Sequence, residues 1–283
     1  MQLGLMTHHI LRPSVGEVAA AIAGYGIHAV QLNLESAGLD PLPASLDSAT
    51  CRHIAAAFNS RGIEISAVSG TFNAIHPDDT RRIEGIRRLG VLAAHCGDLN
   101  TRVIALCTGT RNPDHMWRHH PDNALPDAWT DCVTTMRYLA DHAERRDVTL
   151  AFEPETVNVV GSAEKAARLI DEVGSPRLRV CLDPANLFYP WTLPQMTEVL
   201  ERAFRLLAGK IALAHAKDVR LSDRDPNECV RPAAGTGVLD YATYARLLTG
   251  SGHDGALVMH SLAEAEVPAA KAHVERYFGA ALV

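Results

Sequence analysis

Eight short apolar runs alternate with eight longer amphipathic stretches along the chain, and this alternation constrains the fold more than any single motif. The runs are Gln2–Met6, Ala29–Leu34, Ile63–Val68, Arg102–Cys107, Val148–Phe152, Leu178–Leu182, Ile211–Ala214 and Ala256–Met259. Between and after them lie helical patterns at Ser14–Gly24, Ser48–Arg61, Asp78–Cys96, Pro126–Arg146, Ser162–Val173, Leu193–Leu207, Tyr241–Leu248 and Ala263–Phe278. Continuous apolar strands separated by helices require a parallel sheet covered on both faces. Eight β-then-α units predict closure into a single-domain (β/α)8 barrel over residues 1–283, a length typical of that architecture. Local punctuation agrees. Gly62, Gly174 and Gly209 fall where helices stop, Ser14, Ser48 and Ser162 where they start, and Glu17 completes a capping box with Ser14.

Composition narrows the class of partner. The formal net charge of -6 gives no basic face of the kind a nucleic-acid binder needs. No apolar run reaches the ~18 residues of a membrane span, and the opening MQLGLMTHHILRP has no charged segment followed by a long apolar one, so a cytoplasmic protein acting on a small molecule is expected. The six cysteines form no C-x-x-C pair and are expected as buried reduced thiols. No P-loop lysine accompanies the glycines of AAGTGVLDY, and no nucleophile elbow is present.

Polar residues that end barrel strands point into the mouth where active sites are built. Strand five (VTLAFEPE) delivers Glu153, strand six (LRVCLDPAN) Asp183, strand seven (IALAHAKD) His215 and strand eight (ALVMHSL) His260. Two carboxylates and two imidazoles from consecutive strands make a mixed N/O set for one divalent metal, manganese first, with zinc, cobalt, iron or, less favoured by two nitrogens, magnesium as alternatives. His260 is equally suited to serve as a base or to orient a ligand. Glu155 is a second acid/base candidate, against a reading as a solvated loop acid, and Lys217 is placed to neutralise a developing oxyanion, against a reading as a partner of Asp218. Candidate substrate contacts are His8, Asn73, His76, Arg111, Trp117, Asn158 and Asn186. Arg111 and Trp117 lie in a fourth loop long enough to close over a polar ligand; the clustered histidines of that loop read as an exposed polar surface.

The strings AFEPE, CLDPAN, HAKD and GTGVLDY, followed by GALVMHSL, resemble the xylose isomerase-like barrel superfamily over essentially the whole chain. Its members include sugar isomerases and epimerases, inosose dehydratases and family-two apurinic endonucleases. The resemblance implies a metal held by Glu153, Asp183 and His215 with a fourth ligand from strand eight, a sugar-like substrate and, often, pairing into a homodimer. Two departures stand out. The family's sugar epimerases usually carry glutamate where this chain has His260, and often histidine where it has Asn186. The implied reaction is therefore an isomerisation or epimerisation through an enediolate, with a lyase acting on a keto-sugar acid as the alternative. A phosphodiesterase for damaged DNA and a non-catalytic sugar-binding barrel rank below both.

Overall fold

The computed structural model describes residues 1–282. Its elements in chain order are β1 (Gln2–Met6), α1 (Val15–Gly24), β2 (Ala29–Leu32), α2 (Ser48–Asn59), β3 (Glu64–Ser69), α3 (Asp79–His95), β4 (Val103–Cys107), α4 (Pro126–Glu144), β5 (Thr149–Glu153), α5 (Ala163–Val173), β6 (Leu178–Leu182), α6 (Met196–Leu207), β7 (Ile211–Ala216), β8 (Arg220–Leu221), β9 (Cys229–Val230), α7 (Tyr241–Gly250), β10 (Ala256–Met259) and α8 (Val267–Phe278). Eight parallel strands close in the order β1-β10-β7-β6-β5-β4-β3-β2, with helices outside: a (β/α)8 barrel. The expected helix ends shift where the chemistry of the chain dictates. Asp47, not Ser48, caps α2 by accepting from Thr50 N. The stretches before α6 and α8, read as helix from Leu193 and Ala263, are tight 3-10 turns at Pro190–Gln195 and Glu264–Glu266. The seventh βα connection is not wholly irregular, because β8 and β9 pair there as a short antiparallel ribbon. All six cysteines are free and buried.

Two apolar layers hold the barrel. The larger fills the space between strands and helices. The smaller lines the interior with Met6, Ala29, Ala67, Ala105, Ala151, Cys181, Leu213, Ala256 and Val258. So many alanines leave the barrel narrow at this level, and even Gly4 has no room to spare, since a Cβ there would stand 3.1 Å from Val258 and 3.2 Å from the Ala29 carbonyl. This layer also fixes the site. Side chains two residues further along a strand share its face, so Ala29 leads to Gln31, Ala67 to Ser69, Ala151 to Glu153, Cys181 to Asp183, Leu213 to His215 and Val258 to His260. The chemistry sits one layer above the alanine floor.

The outer packing is equally tight at one point. A Cβ on Gly85 in α3 would lie 2.2 Å from the Phe72 ring, which is itself buried. Gly85→Ala gains about 1 kcal/mol of helix propensity, yet overpacking costs about 1–3 kcal/mol. A net loss of stability is expected, read as a lower urea midpoint with an unchanged slope; a rise in midpoint would show that Phe72 has space to yield.

Candidate active site

Glu153, Asp183 and His215 converge at the mouth. His215 Nδ1 is 3.6 Å from Glu153 Oε1 and 3.6 Å from Asp183 Oδ2. Both His215 Nδ1 and Asp183 Oδ2 are buried without a hydrogen-bond partner. Lys217 Nζ stands 2.9 Å from that same Asp183 oxygen; the contact is an ion pair without hydrogen-bond alignment, and the other oxygen, Oδ1, accepts from Ala185 N at 3.0 Å. Asn186 Nδ2 donates to Glu153 Oε1 at 2.6 Å, and its Oδ1 faces Lys217 Nζ at 3.4 Å.

The histidine is oriented from across the barrel. Gln31 spends its amide NH2 on Ser69 Oγ at 2.9 Å and turns Oε1 to His215 Nε2 at 2.8 Å. An amide oxygen only accepts, so Nε2 carries a proton and Nδ1 is the nitrogen turned to the two carboxylates. Behind the ring, Tyr244 and Tyr241 of α7 donate to the carbonyls of His215 and Lys217, each at 2.9 Å, and pin the end of β7.

The two His215 separations suit a divalent cation, and the atoms within 4.8 Å of one another belong to Glu153, Cys181 and His215, with Asp183 reaching the group through His215. Ligand atoms about 2.0–2.2 Å from a metal lie about 3.0–3.6 Å from one another, which the His215 contacts match at the upper end. Burial would lower the His215 pKa, yet Cys181, Glu153 and Asp183 raise it well above its ordinary value, so the surroundings of Nδ1 favour positive charge there. Burial alone would raise the Asp183 carboxyl; the Lys217 ammonium and the His215 ring outweigh it and hold the group well below the usual carboxylate range. Lys217 stays charged, because Asp183, Glu153 and Glu155 overcome the desolvation that would lower it. Glu155 goes the other way: burial, then repulsion from Glu153, pushes it up to about 8.

His260 stands further round, its ring centroid 5.4 Å from that of His215. It lies with His8 and His9, whose ligand-capable atoms form a second candidate cluster, separate from that of Glu153, Cys181 and His215. The structure groups its ligand-capable nitrogen with those of His8 and His9. Burial and the nearby Lys217 and His215 lower the His260 pKa, while burial, His8 and Lys217 lower that of His9 to about 3. Both rings are neutral at ordinary pH.

A cavity of about 640 Å³ opens over these groups, and His8, Trp117, Glu155, Asn186, Lys217 and His260 all reach it. Four expected substrate contacts do not, and each has other work. Asn73 clamps the backbone of Thr110 through both its amide atoms. His76 bonds Pro113 O and Asp78 N. Arg111 is committed to Asp131 at 2.8 Å and to Ile75 O. Asn158 Oδ1 accepts from Gly109 N at 2.6 Å. These side chains brace the fourth loop, and Gly109 leaves no space for a Cβ beside Asn73. Asp218 likewise does not pair with Lys217; its carboxylate collects the backbone N–H groups of Val219, Gly235 and Leu239 and so shapes the turn into α7. Gln31, Ser69 and Arg231 also line the cavity. Sequence reading missed them, although the two-residue step from Ala29 and Ala67 points to the first two.

A family model described as xylose isomerase-like TIM barrel matches residues 19–276, and the chain belongs to that family. Among solved structures, it is similar to L-ribulose 3-epimerase, with 19% identity, a TM-score of 0.76 and coverage of 98% of this chain and 94% of that one. It is similar to D-psicose 3-epimerase crystallised with D-fructose, at 14% identity and TM-score 0.73, over 99% and 100% of the two chains. A probable 3-DHS dehydratase, AsbF, from Bacillus anthracis aligns at 15% identity and TM-score 0.70, over 97% and 98%. At these identities the likeness is one of fold. No curated protein sequence matches the chain. Among the described residues, no helix is long and apolar enough to cross a membrane.

Proposed function

We propose that this protein is a metal-dependent isomerase or epimerase of a sugar or sugar derivative. The observation that carries the reading is the approach of buried His215 Nδ1, which has no hydrogen-bond partner, to within 3.6 Å of both Glu153 Oε1 and Asp183 Oδ2, with Glu153 lining the cavity. Glu153, Asp183 and His215 would hold the cation, with manganese, zinc, cobalt or iron suited to one nitrogen and two oxygens. A bound divalent cation there supplies electrostatic stabilisation of negative charge on neighbouring substrate oxygens. Glu153, steadied by Asn186, takes the proton from the carbon beside the carbonyl. The Lys217 ammonium balances part of the charge that then develops on oxygen. Glu155, Lys217 and His260 are the groups within the cavity able to return a proton. The epimerases of similar fold support the sugar-like substrate class.

A second reading, a lyase acting on a keto-sugar acid, draws on one specific observation. The eighth barrel strand ends in His260 rather than a second carboxylate. Metal analysis followed by incubation with keto-sugars and sugar acids in deuterium oxide separates the two. Deuterium gained at carbon without loss of water or carbon dioxide is the expected result. Release of either favours the lyase, and a metal-loaded protein that does neither over a broad panel overturns both.

A further inference from the structure

We propose that His9 is a positioning residue that fixes His260 as the Nδ1–H tautomer, so that His260 Nε2 bears the lone pair and accepts the substrate-carbon proton in the direction of reaction opposite to the one in which Glu153 takes it. The proposal rests on the isomerase reading above and assigns His260 a role within it.

Hydrogen-bond directions around His9 fix the tautomer of His260. Ser261 N donates to His9 Nε2 at 3.2 Å, and a backbone N–H can only donate. His9 Nε2 is therefore the unprotonated nitrogen of its ring. The same atom lies 3.3 Å from His260 Nδ1. With His9 Nε2 bare, the hydrogen in that contact belongs to His260 Nδ1. A neutral imidazole has one N–H, which leaves the lone pair of His260 on Nε2. No protein group bonds Nε2 among the described residues, and His260 lines the cavity.

The backbone is arranged to the same end. Ser261 takes a left-handed conformation, φ 56, which is costly for a residue with a side chain and clusters at functional sites. Here it directs an N–H at the ring that orients the base. In that opposite direction of reaction the substrate C–H bond breaks and an N–H bond forms at His260 Nε2, ahead of the return of a proton to carbon from Glu153. The electron pair left on carbon passes to the carbonyl oxygen as the enediolate. The imidazolium so formed still donates from Nδ1 to His9.

Long-range proton–nitrogen NMR spectra of the full chain, free of metal, read the tautomer directly, with His260 identified by the signals that vanish in His260→Gln. The expected result is Nδ1–H in the wild type, loss of that form in His9→Ala, and its recovery in His9→Gln, whose amide oxygen can accept from both donors. In the deuterium-exchange assay His9→Ala lowers kcat about 10–100-fold with KM unchanged, and His9→Gln recovers most of it. An Nε2–H ring in the wild type, or a tautomer indifferent to His9→Ala, overturns the proposal whatever the activity. A wild type that holds the Nδ1–H form yet exchanges no substrate proton overturns the sugar reading and, with it, the assignment of His260 as the base.

Discussion

Asp183→Ala is expected to abolish stoichiometric binding of a divalent cation and to lower the stability of the metal-free chain by about 3–5 kcal/mol. Asp183 is fully buried and Lys217 nearly so, and their ion pair is 2.9 Å long. Removing the acid leaves a nearly buried ammonium with only Asn186 Oδ1, at 3.4 Å, as a protein partner, and it also leaves Ala185 N without its acceptor. The two effects separate in a double replacement, Asp183→Leu with Lys217→Met. That protein should recover much of the stability, because buried pairs are often replaceable by apolar residues of similar volume. It should recover none of the metal. Denaturant unfolding and elemental analysis of the purified variants decide the matter. Stoichiometric metal in Asp183→Ala would remove Asp183 from the ligand set and with it the proposed chemistry.

Glu153→Gln is expected to cut turnover by about 10²–10⁴-fold, the worth of one general base, while leaving the fold intact. The substitution is chosen for its geometry. Asn186 Nδ2 donates to Glu153 Oε1 at 2.6 Å, and a glutamine amide oxygen accepts the same bond. Volume and orientation are kept; the basic carboxylate is lost. Weaker metal binding should accompany the loss, since a neutral amide is a poorer ligand, so exchange rates are to be compared at saturating metal. A rate within a few-fold of wild type at saturation would transfer the role of base to another group, His260 first.

Much of this site is legible along the chain for a simple reason. Strands repeat every two residues, and a barrel strand that runs Ala151 to Glu153 or Leu213 to His215 presents the polar residue one step above an apolar one on the same inner face. The eye is drawn to acids and histidines, and so passes over Gln31, which the same step places opposite His215. Nothing local marks Tyr241 and Tyr244 as props for β7, because an aromatic on a helix reads as ordinary core. Asn73, Asn158 and Arg111 show the opposite error. They are polar, near strand ends and suited to a sugar, yet the asparagines turn to the backbone of the fourth loop and Arg111 to Asp131 of α4. The choice between cavity and loop depends on where the fourth connection folds, and no residue within Thr108–Leu125 states that.

The sequence by itself determined the closed barrel, through eight strand-length apolar runs each followed by an amphipathic helix, and it determined which strands bring Glu153, Asp183 and His215 to the mouth. Both follow from periodicities set by the backbone, 2 for a strand and 3.6 for a helix, which act over neighbours in the chain. Only the tertiary structure decided that Lys217 pairs with Asp183, that Gln31 orients His215, and that His260 keeps company with His9 rather than with the carboxylates. Those pairings join residues up to 251 positions apart, and their geometry exists only once the first and last strands, β1 and β10, have met to close the barrel.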